Sequence, residues 1–486
     1  MQKFIILLAF LFGSMVHSQS SYFVSPTGDN GWEGSKKQPW KTIQFGLNQL
    51  FPGDTLNIIK GVYNEKLELA KSGTSEMEIT IKSYNGEVII DATAIKSQNA
   101  ILKIKNQSFI NITGIEFVNN IQNFAAGISI EGSGTNITIE NCTIRDIHFS
   151  DNPSKKATPR RNAQGIIVYG NNEEPLKNIF LKNNRLYNCR LGYSEGLAVN
   201  GNVDGFEITG NQVYDLTNIG IDVIGHEGVC PIPEKDQARN GLVMGNTVYH
   251  CISSYATSAG IYIDGGKNVS VLNNTVYNNG YGIEVGCENK GKQTAAITVR
   301  NNVIYNNEIA GLAIGGFDLK KTGIVTNSTF YNNTLYKNTN GKKGISEILL
   351  TAAEDCKLFN NVVFTDDKSN AVISVYPNKN IALDFNAYYS QSGEGNLKFT
   401  WEDNYYENFR FYKQASGQDY NSIIGNPQFR SEEGDKFNFS LKPNSMLIDS
   451  GNPNHTILEN EKDFKNMPRK TDGRIDIGAF EYNGQE

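Results

Sequence analysis

Beyond its first twenty residues, the chain of 486 has no apolar run long enough to cross a membrane. Cysteine is scarce, six in all, with no CxxC pair and no zinc-like His/Cys spacing. A disulfide scaffold and a structural zinc site are thereby set aside. Positive charge is not in excess: 45 Lys and Arg against 51 Asp and Glu give a formal charge of −6, so nucleic acid is not the expected partner. Histidine is rarer still, five in all, which narrows the choice of a neutral-pH base. No helical stripe recurs between the β-branched runs, and that excludes the helical solenoids.

What is present begins with MQKFIILLAFLFGSMVHSQS. Lys3, the apolar run Phe4 to Phe12 and the small-residue site Val16-His17-Ser18 read as a secretory signal over residues 1–18. The expectation is an exported protein, periplasmic or secreted, monomeric and not membrane-bound.

Down the middle of the chain one phrase recurs: NNRLY, GNQVY, GNTVY, NNTVY, NNVIY, NNTLY and NNVVF. Their second letters are Asn184, Asn211, Asn246, Asn274, Asn302, Asn333 and Asn361, spaced 27, 35, 28, 28, 31 and 28 residues apart. Fainter members are expected at Asn120, Asn141 and Asn386. Each unit holds about three short strands with period-two alternation, and one unit cannot bury its own apolar side. Stacked units can, with parallel backbone pairing at about 4.8 Å per coil and asparagine ladders at the turns. The fold class is all-β, a right-handed parallel β-helix. KTIQFGLNQL (41–50) supplies a short N-terminal capping helix and the tail a C-terminal cap. The expected divisions are 19–100 for the cap and first coils, 101–395 for the coils carrying the site, and 396–486 for the last coils and C-terminal cap.

Seven strands open on glycine: GISIE, GIIVY, GLAVN, GIDVI, GIYID, GIEVG and GLAIG. Their second and fourth letters are aliphatic and face inward; the third and fifth face out. The third column reads Ser129, Ile167, Ala198, Asp222, Tyr262, Glu284, Ala313, and the fifth contains Asn200 and Asp264. Asp222, Tyr262, Asp264 and Glu284 are therefore candidate catalytic residues. Acids at this spacing suit the two carboxyls of a glycosidase. Crowded together, they also raise one another's pKa or hold a cation; calcium at Asp222, Asp264 and Glu284 is the form that expectation takes, and no cofactor is firmly implied.

Loops beside this face carry Arg160, Arg161, Arg239 and Lys290, a basic rim suited to an anionic ligand such as a uronate- or sulfate-bearing glycan. His226, directly after the Asp222 strand, is the candidate general base. Asn200, Glu227 and Glu288 join Arg160, Arg161, Arg239 and Lys290 as expected substrate contacts. Cys230 and Cys287 lie in neighbouring loops, where an exported protein has the option of a bridge.

YFVSPTGDNGWEGSKKQPWKTIQFGLNQLFPGDTLNIIKGVYNE (22–65) resembles the opening of secreted β-helix polysaccharide-degrading enzymes, polysaccharide lyase family nine among them; the tail DGRIDIGAFEY is similar to theirs. That resemblance implies β-elimination with a lysine base and a calcium-holding aspartate cluster. SEGLAVN (194–200) is similar to one family strand, whereas the family's acid-rich stretch is replaced here by TNIGIDV (217–223). GIYID followed by GIEVG resembles the paired strands of the β-helix family 120 xylosidases, implying Asp264 as nucleophile and Glu284 as acid/base. The leading expectation is β-elimination at a uronic acid of an acidic polysaccharide or oligosaccharide, as a lyase or as a dehydratase at a chain end. Hydrolysis by Asp264 and Glu284, and non-catalytic glycan binding, are the alternatives.

Overall fold

The computed structural model describes residues 19–484 apart from 94, 319, 340–344, 377, 433–436, 459–460 and 470–473; the secretory signal lies outside the described residues. Short strands wind into a parallel β-helix in which strands from successive coils pair in register, in the right-handed sense that such crossovers adopt. The face that matters for function is a 13-stranded sheet. Its strands are β1 (Leu67–Leu69), β2 (Ala100–Lys105), β3 (Ala125–Glu131), β4 (Ala163–Gly170), β5 (Leu197–Gly201), β6 (Ile221–Ile224), β7 (Ala259–Asp264), β8 (Tyr281–Gly286), β9 (Ala310–Ile314), β10 (Ser346–Leu350), β11 (Asn370–Ser374), β12 (Phe399–Trp401) and β13 (Asn404–Tyr406). All pair in parallel except β12 with β13, which form an antiparallel end.

Alternation dictates the section of the solenoid. Ile221, Val223, Ile261, Ile263, Ile283 and Val285 point inward and are fully buried, joining the long apolar core. At one corner the Asn amides form a continuous ladder. The Asn274 backbone N–H donates to Asn302 Oδ1 at 2.9 Å, its Nδ2 donates to the same oxygen at 2.9 Å, and its own Oδ1 accepts the matching pair from Asn246. The pattern runs from Asn184 through Asn211, Asn246, Asn274, Asn302, Asn333 and Asn361 to Asn386. The earlier members fall differently. In its coil the ladder position is Cys142, whose N–H donates to Asn184 Oδ1, while Asn141 is exposed in a left-handed conformation. Asn120 lies elsewhere, donating to Asn99 and Ala126 carbonyls. A second ladder, five residues on, links Cys251, Asn279, Asn307 and Asn338 and ends on the buried Glu347 carboxylate. Between the two, Tyr187, Tyr214, Tyr249, Tyr277 and Tyr305 stack with ring centroids 4.8 to 5.0 Å apart.

The ends are covered as edge pairing requires. Helix α1 (Ile43–Gln49) sits over the first coil; Thr42 caps it, and the Glu65 carboxylate takes the free N–H groups of Ile43 and Gln44. At the other end α2 (Phe409–Ser416) plugs the last coil with Tyr412, buried and stacked on Phe399 at 4.2 Å. The remaining tail does not plug the end. It lies along the side of the later coils, where Phe429, Phe439, Leu441, Ile477 and Phe480 pack on Tyr336 and Phe364. Buried Arg469 fastens it there through Glu481 and Asn301. Among the described residues no helix is long and apolar enough to cross a membrane.

Candidate functional site

Register sets the outward column residue by residue. Ser129 pairs with Ile167, Ile167 with Ala198, Ala198 with Asp222, Asp222 with Tyr262, Tyr262 with Glu284, and Glu284 with Ala313. Asp264 pairs with Gly286, one step along, which sets it diagonally from Glu284 on the neighbouring strand, roughly 8 Å away at the backbone. Gly286 is where the Tyr262 ring passes: a Cβ there would lie 3.0 Å from the Tyr262 hydroxyl. Asp222, Tyr262, Asp264 and Glu284 thus share one wall.

The wall is flanked by two open clefts. The C-terminal one, about 230 Å³, is lined by Tyr262, Tyr281, Glu284 and Glu288, with the exposed Phe317 on its rim. Among its described lining residues there is no Lys, Arg or His. The N-terminal one, about 720 Å³, is lined by Lys103, Glu131, Tyr169, Tyr193, Glu195, Asn200 and Glu227, among others. Its one cation, Lys103, is 3.5 Å from Glu131.

Six carboxyls therefore face one another with little to neutralise them, and five of them, Glu195, Asp222, Asp264, Glu284 and Glu288, are raised in pKa, first of all by burial. Burial, then repulsion from Glu288, pushes Glu284 up to about 8. Burial and repulsion from Glu227 push Glu195 to about 8 as well. Asp222 and Asp264 are raised well above the carboxylate range, first by burial and then by Glu195 and Glu288 respectively. Asp264 differs in one respect: its Oδ1 accepts the Glu288 N–H at 2.8 Å, which favours its ionised form. Asp222 Oδ1 and Asn200 Oδ1 are buried without a partner. Tyr262 is held neutral by burial and by Asp264.

The other expected residues are placed as follows. Asn200 donates to Glu227 Oε2 at 2.9 Å, so these two meet in the N-terminal cleft, and Glu288 lines the C-terminal one. His226 lines neither cleft. In a left-handed conformation (φ 71°) it turns toward the second, 26-stranded sheet, which carries Gln293 and Arg239, with Nε2 3.2 Å from the Gln293 carbonyl, and burial lowers its pKa. Arg239 belongs to the second sheet, where it pairs with Asp204 at 3.2 Å and Asn202 at 3.1 Å. Arg160, Arg161 and Lys290 line neither cleft, so the basic rim does not reach the acid wall. Cys230 and Cys287 are not bridged; all six cysteines are free and buried, because each thiol is tucked against backbone carbonyls of its own or a neighbouring coil. For calcium, the unpartnered Asp222 Oδ1 is an inviting donor, yet Asp264 spends an oxygen on Glu288 N–H. No group of three or more His, Cys, Asp or Glu among the described residues is disposed to hold a metal ion.

Glu195 is the acid that sequence alternation misses. It precedes Gly196 in the turn entering β5, outside any strand column, and is reached by Gln164 Nε2 at 3.4 Å. The only signal for it is its place beside the strand GLAVN.

The family profile described as "Pel9A-like, right handed beta helix region" matches residues 22–348. The uncharacterised protein YwoF of Bacillus subtilis (strain 168) is 34% identical over 473 residues, which cover 90% of this chain and 95% of that one. Among solved structures, pectate lyase Pel9A superposes with a TM-score of 0.51 at 15% identity, covering 97% of this chain and 98% of its own. XylC in complex with xylose gives 0.54 at 13% identity, covering 85% and 88%. At those identities the likeness to the two structures is one of fold.

Proposed function

The chain belongs to the Pel9A-like right-handed β-helix family, and from that premise we propose that it is a carbohydrate-active enzyme that hydrolyses a glycosidic bond at the Asp264–Glu284 wall. Fold alone decides neither substrate nor reaction; the relatives in this fold include a pectate lyase and a protein solved with xylose, and the site must discriminate. The observation that carries the reading is the wall itself: Asp264 and Glu284 stand diagonally on adjacent strands, and the cleft that Glu284 and Glu288 line has no cation among its described lining residues. A uronate entering it would meet no counter-charge. A neutral sugar meets a proton donor and an acceptor.

Glu284, protonated at neutral pH, is the general acid that gives its proton to the departing glycosidic oxygen. Asp264, with the Glu288 amide on Oδ1, is the carboxylate on the other side of the reacting carbon, as nucleophile or as base to the attacking water. Burial and Glu288 act against the Asp264 carboxylate, so its ionised form rests on the hydrogen bond from the Glu288 amide. Tyr262, between the two columns, is a neutral hydrogen-bond donor to the ring substituents. No step is routed through a metal.

A second reading, β-elimination at a uronic acid, is favoured by the Pel9A-like membership and by Lys103, which faces the N-terminal cleft from β2. One assay separates the two. Purified protein is incubated with neutral and acidic glycans while reducing ends and the ultraviolet absorbance of unsaturated uronates are followed. Hydrolysis predicts reducing ends without absorbance. With an aryl glycoside whose leaving group needs no proton, Glu284→Gln keeps most of its rate and Asp264→Asn loses it. Absorbance growing with the reducing ends, or equal loss in both variants on the aryl substrate, overturns the assignment.

A further inference from the structure

The N-terminal cleft has features that the acid wall does not use. Its floor is apolar: Ala100, Ala126 and Ile167 point outward from β2, β3 and β4 as part of a small cluster separate from the core. Two aromatic rings stand over that floor with their faces open, Phe124 at 50% exposure and Tyr193 at 41%. Phe124 holds a left-handed backbone (φ 57°), a conformation that bulky residues rarely adopt. Folding gains little from a half-exposed phenylalanine in a strained conformation, so the ring is there for something outside the chain.

One residue places both rings. The Asn162 carbonyl accepts the Phe124 N–H at 2.7 Å, and Asn162 Oδ1 accepts the Tyr193 N–H at 2.8 Å. Behind it, the Tyr255 ring meets Tyr193 edge-on at 5.1 Å and holds it upright. The walls between the rings are amides and hydroxyls. Charge decides the occupant: Lys103 is matched by Glu131, which leaves no unmatched cation among the described lining residues to meet a carboxylate. An anionic sugar finds no counter-charge there. An uncharged one has an apolar floor and aromatic faces for its C–H faces, and hydrogen-bond partners for its hydroxyls. The cleft spans four coils, roughly 15 Å, and ends against Ala198 and Asp222, where the acid wall starts.

We infer that the N-terminal cleft is a binding groove for an uncharged oligosaccharide segment, stacked on Phe124 and Tyr193 and leading to the acid wall, with Asn162 as the residue that positions both rings. This deepens the proposed function, on which it rests for the nature of the ligand, and names its substrate class as a neutral glycan several sugars long.

The test is calorimetric binding to the full chain carrying Glu284→Gln, so that cleavage plays no part. The probes are neutral xylo-, gluco- and manno-oligosaccharides of four to six sugars, with oligogalacturonates for comparison. Phe124→Asn removes the ring while keeping a residue that tolerates φ 57°; it is expected to weaken binding of the preferred neutral ligand about 10- to 30-fold without lowering Tm, and Tyr193→Ala by a similar factor. Asn162→Ala weakens it as much as either, and Asn162→Asp, which keeps the Oδ1 acceptor, restores most of it. Oligogalacturonates binding more tightly than every neutral probe, no neutral probe binding at all, or unchanged affinity in both aromatic variants would overturn the inference. A bound neutral ligand that the active protein leaves intact would refute the hydrolytic reading and leave the groove standing.

Discussion

The protonation of Glu284 has a thermodynamic signature that needs no substrate. In the unfolded chain this carboxyl ionises near its ordinary 4.5; in the fold it does so near 8. Between those values the folded chain binds more protons than the unfolded one, so stability falls as pH rises, by about 1.4 kcal/mol per pH unit for a single group. The contribution is fully present below 4.5 and gone once pH has passed 8. Across the window the sum is ~3 to 5 kcal/mol, discounted at the lower end because solvent reaching the cleft screens part of the repulsion. Glu284→Gln has the same shape and no proton to lose. Unfolding entropy scales with length, so in a chain of this size 1 kcal/mol moves Tm by about 1 °C. The difference in Tm between Glu284→Gln and the parent should therefore widen by about 3 to 5 °C from pH 5 to pH 9, in favour of the variant. Differential scanning calorimetry at fixed scan rate reads it. A difference that stays flat with pH would mean that Glu284 is ionised at neutrality, and the general-acid role would fall with it.

Three further expectations follow from the frame. Asn274→Ala strands the Asn246 N–H and amide and the Val243 carbonyl, so it should cost ~3 to 5 kcal/mol in denaturant unfolding, far more than a surface Asn→Ala. Six thiols should react with Ellman's reagent in guanidine without reductant and essentially none in the native protein; four in guanidine would indicate a bridge. Asp419→Asn, which disturbs the acceptor of both the Tyr388 and Tyr412 hydroxyls, should loosen the end plug, seen as hydrogen exchange rising first in α2 and β12.

How much of this was legible depends on which physical rule governs each residue. Asp222, Tyr262 and Glu284 were placed by counting because their strands are pinned twice, by inward aliphatics and by in-register parallel pairing; a slip of one residue would turn Ile261 and Ile283 outward. The asparagine ladder was legible for the same reason. Its companion was not: each of Cys251, Asn279, Asn307 and Asn338 follows a tyrosine by two residues, but along the stack the same column is filled by Cys189 and Leu216 as well, so no single residue type marks it. The loops obey no such count. The segment after β6 turns away because His226 adopts a left-handed conformation and the Gly225–Gln237 bridge folds the loop back, and Arg239 then finds Asp204 on the second sheet. Sequence neighbourhood had set both beside Asp222; backbone direction took them elsewhere.

The same distinction bears on the basic rim. A basic rim inferred from loop composition assumed that loops bordering a face present their charges to it. Here Arg190 donates to the carbonyls of Ser150, Asn152, Pro153 and Lys155, which stitches the basic loop to its own coil. Lys155 and Lys156 consequently line a separate hollow, beyond Tyr193 from the acid wall. What reaches the wall is instead the backbone amide of Glu288 and the carboxyls of Glu195 and Glu227, set by the turns entering β5 and leaving β6 and β8. On the proposed reading such a site selects by withholding counter-charge: the cleft beside Glu284 has no cation among its described lining residues, and the apolar strip of Ala100, Ala126 and Ile167 gives an uncharged ring a place to lie. On that reading, raising pH should weaken turnover of a neutral glycan as Glu284 loses its proton near 8. Measuring kcat/KM against pH for the preferred neutral substrate checks it: activity unchanged from pH 7 to pH 9 would show that the Glu284 proton is not used.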